Sequence, residues 1–481
     1  MKQTLKIHPS DNVAVILTDN NPVAPRGHKI ALRNIAKGEP VVKYGFPIGR
    51  ATQDIAEGEW IHSHNLATAL GANEEYTYNN PSRNTPAVKT EPLTINGYLR
   101  SNGEIGIRNE LWIVPTVGCV NGQANAIVER LRQEVDLTGI DDVRAFTHNY
   151  GCSQLGQDHA NTRAALAALV RHPNAGGVLV LGLGCENNQM NRFREEIGAV
   201  DADRVKFLVA QDVEDEVDTG FGLCRDIIER MRADRREPLP ISRLKVGLKC
   251  GGSDGFSGIT ANPLVGRISD RLVSMGGTTV LTEVPEMFGA ETILMDRAES
   301  REVFDRIVGM ITDFKDYFRS FGMPVYENPS PGNKAGGITT LEEKSLGCVQ
   351  KGGTSAVVDV LDYASRATNP GLNLLTAPGN DLVAATALAL SGCHMVLFTT
   401  GRGTPFGTCV PTMKISTNSQ LDSRKRNWVD FDAGILLENG DMEGVADSLM
   451  ANIVETANGS RLKHELAGAK EIAIFKSGVT L

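Results

Sequence analysis

The chain has 481 residues and a formal net charge of -9, with 41% hydrophobic, 22% charged and 5% aromatic residues. The acidic balance and the few aromatic residues argue against nucleic acid and anionic membranes as main partners. The length predicts two to four domains, no apolar run approaches the ~18 residues of a membrane span, and the amino terminus lacks a signal-peptide core. We therefore predict a cytoplasmic protein whose eight cysteines are reduced.

A repeated unit marks the beginning of the chain. The pattern Asp/Asn-Ile-Ala-Lys/Glu-Gly-Glu occurs at 34–39 and again at 54–59, each time as a turn between short apolar runs. This repeat predicts a small β-rich, barrel-like module over residues 1–75. Residues 76–94 are polar and contain three prolines, so we predict a linker there.

Two histidines close the first module. His62 and His64 stand at positions i and i+2, and on a strand they would face the same side, so both imidazoles could reach one metal ion. The alternative is an exposed strand end that carries two histidines without a function.

Strand-like runs and helical stretches alternate over residues 95–238, which predicts a parallel α/β domain. Helical periodicity is clear at 124–135 and 162–171, and a charged segment at 229–240 marks the predicted boundary. Three cysteines of this region, Cys119, Cys152 and Cys185, each follow a glycine at a predicted turn. Because parallel strands end side by side, these thiols could converge on one crevice and bind a soft metal. The alternative is three buried cysteines packed under glycine turns.

Other polar residues of the central region surround these turns. His148 and Glu186 are candidates for the general acid and base, and Asn187 is a candidate for binding substrate hydroxyls. Arg108 precedes a hydrophobic strand and could bind a carboxylate in a bidentate manner; a surface salt bridge is the alternative.

The sequence pattern over residues 239–481 predicts a second α/β domain, with several Gly-rich turns. Lys249, Ser253 and Asp254 lie on one such turn, which resembles an anion cradle, and Lys334 lies on another. Glu283 and Glu286 could add a polar wall, and Cys348 lies beside a glycine. Taken individually, each lysine is more typical of a solvated surface charge than of a binding group. The chain has no phosphate-binding Walker loop, no serine nucleophile elbow and no complete dinucleotide fingerprint.

The combined motifs resemble the altronate/galactarate dehydratase family of sugar-acid dehydratases, over the whole chain. They include Gly-Glu-Trp-Ile-His-Ser-His-Asn at 58–65, Tyr-Gly-Cys-Ser-Gln at 150–154, Gly-Leu-Gly-Cys-Glu-Asn-Asn at 182–188, Cys-Gly-Gly-Ser-Asp at 250–254, Leu-Thr-Glu-Val-Pro-Glu at 281–286 and Asn-Pro-Ser-Pro-Gly-Asn-Lys at 328–334. The resemblance implies a small antifreeze-like β module (the SAF type) followed by two larger α/β domains with mainly parallel sheets. It also implies an iron(II)-dependent hydro-lyase that converts D-altronate to 2-dehydro-3-deoxy-D-gluconate in hexuronate breakdown, with Mn2+ as a substitute metal.

From residue chemistry we then assign roles within that reaction. The expected metal ligands are His62, His64, Cys119, Cys152 and Cys185; the expected acid–base groups are His148, Glu186 and His62; the expected substrate-binding residues are Arg108, Asn187, Lys249, Ser253, Asp254 and Lys334. An iron–sulfur cluster on the three thiolates is an alternative to iron(II). Galactarate dehydratase, sulfolactate sulfo-lyase and a metal-stabilised sugar-acid-binding protein remain alternative functions, and assembly into a homo-oligomer is left open.

Overall fold

The computed structural model describes residues 3–70, 75–79, 91–325 and 328–478. It confirms the predicted fold class: an antiparallel β module followed by two α/β units with parallel sheets. Most of the predicted linker, residues 80–90, lies outside the described residues.

The amino-terminal module is built around its sequence repeat. Ile35 and Ile55 occupy equivalent places in the two units, and each donates its backbone N–H to the other's carbonyl, at 2.9 and 2.8 Å. The module has one sheet in the order β1-β2-β3-β6 and another in the order β4-β5-β7. The strands are β1 (Thr4–Leu5), β2 (Val13–Ile16), β3 (Lys29–Ala31), β4 (Pro40–Lys43), β5 (Phe46–Ala51), β6 (Trp60–Ile61) and β7 (Leu66–Ala67).

The central unit opens with a hairpin, in which β8 (Thr94–Leu99) pairs with β9 (Ile105–Gly106). Its parallel sheet has the order β11-β10-β12-β13, and β10 and β12 are almost wholly buried, as expected for strands covered on both faces. Its strands and helices are β10 (Glu110–Pro115), α1 (Asn121–Glu134), β11 (Asp142–Ala145), α2 (Gly156–Val170), β12 (Ala175–Gly182), α3 (Met190–Ile197), β13 (Val205–Val209) and α4 (Glu216–Met231). Both predicted helices are present.

The segment predicted as a boundary, 229–240, begins in the last turn of α4 and ends in β14 (Glu237–Pro240), which pairs with β8. Beyond it, a seven-stranded parallel sheet has the order β17-β18-β16-β15-β19-β20-β21. Its strands are β15 (Lys245–Cys250), β16 (Thr278–Leu281), β17 (Val357–Leu361), β18 (Gly371–Leu375), β19 (Met395–Thr400), β20 (Thr412–Ser416) and β21 (Phe431–Asp432). Its helices are α5 (Ala261–Ser274), α6 (Glu291–Met295), α7 (Arg301–Ser320), α8 (Pro331–Ala335), α9 (Leu341–Cys348), α10 (Asp381–Leu390), α11 (Ser419–Arg424), α12 (Leu436–Asn439), α13 (Met442–Ala457) and α14 (Lys463–Leu466).

The order of this sheet defines where a ligand is expected. The strand β15 lies between β16 on one side and β19 on the other, so the direction of winding reverses at β15. In open α/β sheets the crevice at such a reversal, beyond the carboxyl ends of the strands, is the usual ligand site. Among the helices of the described ranges, none combines the length and the apolar character needed to cross a membrane.

Candidate metal centre and substrate cleft

Three segments meet at the carboxyl end of β15. Cys250 is the last residue of that strand, Glu286 ends the short helical turn after β16, and Cys348 is the last residue of α9. Glu283, at the start of the turn, has a left-handed backbone with φ of 72°, which bends the chain back toward Cys250.

The three side chains form a compact, buried set of donor atoms. The Sγ atoms of Cys250 and Cys348 are each 3.1 Å from Glu286 Oε2, and the two sulfurs are 3.3 Å apart. Within the described residues, this is the one group of three or more Cys, His, Asp or Glu side chains whose ligand atoms all lie within 4.8 Å of one another.

Lysines and carboxylates enclose this set. Lys344 Nζ is 2.5 Å from Glu286 Oε1, and Lys351 Nζ is 2.8 Å from Cys250 Sγ and 3.1 Å from Glu283 Oε2. Lys249 Nζ contacts Glu283 Oε1 at 2.5 Å and Asp381 Oδ1 at 2.9 Å.

The charges of this enclosure balance without the thiols. Three ammonium groups face three carboxylates, so two deprotonated thiols would add two uncompensated negative charges. A buried pair of such charges is costly unless a cation accompanies it. A divalent cation would supply the missing charge, and the thiols would lose their protons on binding it.

The ionisation of the surrounding groups follows from their neighbours. Burial alone would raise the pKa of Glu286, but Lys344, Lys351 and Lys249 together lower it to about 2, so it is a carboxylate. Burial would lower the pKa of Lys249, but Glu283 and Asp381 raise it, so it stays an ammonium group. The hydrogen bond with Cys250, together with burial, raises the pKa of the Cys348 thiol well above its usual value. The residues present therefore fit a divalent cation held by two thiolates and one carboxylate.

The amino-terminal module packs against the same domain through its histidines. His62 Nε2 is 2.9 Å from the carbonyl of Lys334, and His28 Nε2 is 3.2 Å from the carbonyl of Ala335. A carbonyl accepts only from a protonated nitrogen, so Nε2 of His62 carries the proton. The Nδ1 atom of a neutral His62 then has a lone pair, and it lies 3.0 Å from Ser63 Oγ. Burial lowers the pKa of His62, which favours the neutral imidazole. His64 is exposed, and its ring lies 5.3 Å from the Trp60 ring.

The Glu343 carboxylate joins the module to α9, the helix that ends at Cys348. It accepts from Lys29 and Lys43 of the module, each at 2.8 Å, and all three side chains are buried. The next residue, Lys344, turns to Glu286 instead.

A cavity of about 690 Å³ lies between the module and the carboxyl-terminal domain. Its walls include Asp254, Arg26, Arg402 and Arg424, and within the described ranges none of these three arginines forms an ion pair. Asp254 is half-buried, and its carboxylate accepts hydrogen bonds from Thr417 and Asn418. Arg402 is exposed, and the backbone of Gly252, two residues beyond Cys250, accepts from its N–H at 3.1 Å. The cavity wall thus continues into the loop of the metal centre.

The other predicted site residues occupy two places. Lys249, Ser253, Asp254 and Lys334 lie in the carboxyl-terminal domain beside the metal centre or the cavity; Ser253 is buried, and its hydroxyl has no described partner. Cys119, Cys152, Cys185, His148, Glu186 and Asn187 lie together at the carboxyl edge of the central sheet. No described hydrogen bond joins His62 or His64 to that edge.

At the central edge, both predicted acid–base residues have structural partners. His148 uses Nε2 with the Pro115 carbonyl and Nδ1 with the Tyr150 N–H, and burial lowers its pKa. Glu186 accepts from Thr116 Oγ1 at 2.6 Å and from two backbone N–H groups. Burial would raise the pKa of Glu186, but these bonds lower it.

Arg108 lies at neither place. Its guanidinium is buried and makes a two-pronged contact with Glu465, both distances 2.9 Å, and also donates to backbone carbonyls of Ile107, Thr456 and Ser460.

The sequence did not single out Cys250, Glu286 and Cys348 as a set, although each lies in or beside a motif noted for its polar residues.

Comparison with known proteins agrees with this architecture. Three family models match: "Altronate/galactarate dehydratase SAF domain" at residues 2–69, "D-galactarate dehydratase/Altronate hydrolase, second domain" at 97–232 and "D-galactarate/Altronate dehydratase, C-terminal" at 241–480. Each range lies within one predicted domain.

Relatives match along their full length. The chain is 55% identical to altronate dehydratase of Bacillus subtilis (strain 168) and 54% identical to that of Escherichia coli (strain K12), in both cases covering 100% of each chain. It is 34% identical to galactarate dehydratase (L-threo-forming) of E. coli, over 95% of this chain and 93% of the relative. A sulfolactate sulfo-lyase subunit is more distant.

These family models and full-length relatives define the chain as a hydro-lyase acting on sugar acids. The chain belongs to the D-galactarate/altronate dehydratase family.

Proposed function

We propose that this enzyme removes water from D-altronate to give 2-dehydro-3-deoxy-D-gluconate, using iron(II) held by Cys250, Glu286 and Cys348. The observation that carries the proposal is the charge-balanced Cys-Glu-Cys centre at the reversal point of the sheet, in a chain that matches altronate dehydratases from end to end. Mn2+ is the expected substitute metal.

The reaction sets clear demands on the site. The C2 proton of a sugar acid lies beside the carboxylate, so its removal adds negative charge next to an anion. A bound divalent cation supplies Lewis-acid stabilisation of that charge. Preorganised charge of this kind is usually the largest contribution to catalysis.

The residues around the centre would meet the remaining demands. Lys344 and Lys351 stay protonated, so they hold Glu286 and Cys250 in place and offset developing charge. Arg402, which has no carboxylate partner in the described chain, would bind the substrate carboxylate from the cavity side. The Lys334 carbonyl accepts from His62 Nε2, so neutral His62 carries its lone pair on Nδ1. His62 would accept or return a proton through that nitrogen.

Sugar-acid selection is tested with a panel of substrates. Purified anaerobic enzyme loaded with iron(II) is given D-altronate, galactarate and sulfolactate in separate assays. Altronate should have the highest kcat/KM, with a 2-keto acid as product. Preferred turnover of galactarate, or release of sulfite from sulfolactate, would overturn the proposal.

We place the reaction in the cytoplasm, where the eight free cysteines stay reduced.

A further inference from the structure

The central domain carries a second group of thiols, which the proposed function does not use. Of the eight free cysteines, five are buried, and the three that are not are Cys119, Cys152 and Cys185. Each of these follows a glycine at the carboxyl end of the central sheet. Free cysteine is among the most buried residue types, so packing does not explain three solvent-accessible thiols at one edge.

Close approach of the backbone explains the glycines and shows that the three turns interlock. A Cβ atom at Gly151 would lie 2.1 Å from the carbonyl oxygen of Thr116, and φ of Gly151 is +98°. A Cβ at Gly118 would lie 2.8 Å from the carbonyl oxygen of His148. Gly118 N–H also donates to Tyr150 at 2.9 Å, which ties the Cys119 turn to the Cys152 turn.

The Cys185 turn is held to the same unit. Asn188 N–H donates to the Gly151 carbonyl at 3.0 Å, and Asn187 Oδ1 accepts from Ser153 N–H at 2.9 Å and from the Cys152 thiol at 3.3 Å. The turns follow neighbouring strands in the order β11-β10-β12. The backbone thus ties the three thiol-bearing turns together at one edge of the sheet.

Of the predicted metal-ligating and acid–base side chains at this edge, the three thiols remain available to a metal. Glu186 points inward to Thr116, and both ring nitrogens of His148 have backbone partners, so neither offers a free ligand atom. The three sulfurs also do not all lie within 4.8 Å of one another, since within the described residues only the Cys250 group does so. A mononuclear tetrahedral thiolate site, with metal–sulfur bonds of about 2.3 Å, needs sulfurs about 3.8 Å apart. A cluster accommodates wider spacing because iron and sulfide lie between the thiolates.

We propose that Cys119, Cys152 and Cys185 hold a [4Fe–4S] cluster at this edge, separate from the metal centre at Cys250. Each thiol loses one proton when it binds iron. The 2+ core holds two iron(II), two iron(III) and four sulfide ions, so a supply of both iron oxidation states balances its formation without a further oxidant. Three thiolates are one fewer than the usual four, so the fourth iron binds a non-protein oxygen ligand from solvent. Gln211 Nε2, 3.7 Å from Cys185 Sγ, donates to one ligand sulfur and tunes the cluster.

The test is anaerobic reconstitution of the full chain with equal amounts of iron(II) and iron(III) and with sulfide, followed by desalting. We expect about four acid-labile sulfides per chain, broad visible absorption, and an electron paramagnetic resonance signal after dithionite reduction. Cys119→Ala, Cys152→Ala and Cys185→Ala should each lose most of the labile sulfide. Cys224→Ala is the matched control, because Cys224 is fully buried in α4 of the same domain, and it should keep the wild-type amount.

Other outcomes decide against the cluster or separate it from the proposed function. Wild-type protein that binds zinc or single iron ions without sulfide, or edge variants that retain wild-type sulfide, would overturn it. Circular dichroism of each variant shows whether it is folded, and Cys152→Ser repeats the test with a nearly isosteric side chain. Cys250→Ser should keep the sulfide and lose dehydration, so failure of either proposal is recognised independently.

Discussion

The Sγ atoms of Cys250 and Cys348 lie 3.3 Å apart, although 98 positions separate the two residues in the chain. Both sulfurs contact the same oxygen of Glu286. A strand end, a turn and a helix end thus place two soft donors and one hard donor at one buried point. This is the arrangement on which the proposed dehydration depends.

Replacing a ligand of this centre should remove the tight metal site. We expect Cys348→Ser and Glu286→Gln to lower iron(II) affinity by at least about ten-fold, because even residues outside the ligand set of a metal have effects of that size. Metal content after desalting is measured by mass spectrometry. The matched control is Cys393→Ser, which is equally buried but contacts Ser391 rather than the centre. Undiminished metal in Cys348→Ser would exclude this ligand set.

Glu343 should stabilise the docking of the amino-terminal module. Glu343→Gln leaves Lys29 and Lys43 buried without a carboxylate, which should lower the free energy of unfolding by about 3–5 kcal/mol. Urea denaturation and protease cleavage of the module measure this. Glu39→Gln removes an exposed pair with Arg33 and should have little effect.

The stability that Glu343 contributes through Lys29 and Lys43 should depend on pH. Burial would raise the pKa of Glu343, but Lys29 and Lys43 lower it to about 2. The unfolded glutamate has a pKa of about 4.3, so the stabilisation is complete above pH 5 and is lost as pH falls toward 2. The stability difference between wild type and Glu343→Gln should therefore shrink over that range. A difference that grows on acidification would contradict the assignment.

Arg108 should act on stability rather than on substrate binding. Arg108→Met leaves Glu465 buried without its guanidinium partner and should cost about 3–5 kcal/mol. The melting temperature should fall while the KM for altronate of the folded fraction stays unchanged. A raised KM with unchanged stability would instead support the carboxylate-binding role predicted from sequence.

Arg402 should act on substrate binding rather than on stability. Arg402→Ala should raise the KM for altronate roughly ten- to hundred-fold, because it removes a hydrogen bond to a charged group. The free energy of unfolding should change little, since the side chain is exposed. Arg426→Ala, which lines a different cavity, is the control. Equal KM values for the two variants would show that Arg402 does not bind the substrate.

The sequence predicted the fold well where the signals are local. The repeat around Ile35 and Ile55 and the buried runs of β10 and β12 are periodic patterns that short segments display directly. The site depends on contacts that no local pattern displays. Arg108 meets a carboxylate 357 positions away, and Cys348 ends a helix rather than a strand, so neither its partners nor its burial could be inferred from its neighbours.

Anaerobic turnover of D-altronate by chelator-stripped protein, with and without added iron(II), tests the central claim most directly. Formation of the 2-keto acid is followed for wild type and Cys250→Ser. We predict that iron(II) restores turnover to wild type and not to Cys250→Ser. Full turnover by the stripped wild-type enzyme, or equal restoration of the variant, would contradict a catalytic metal at the Cys-Glu-Cys centre.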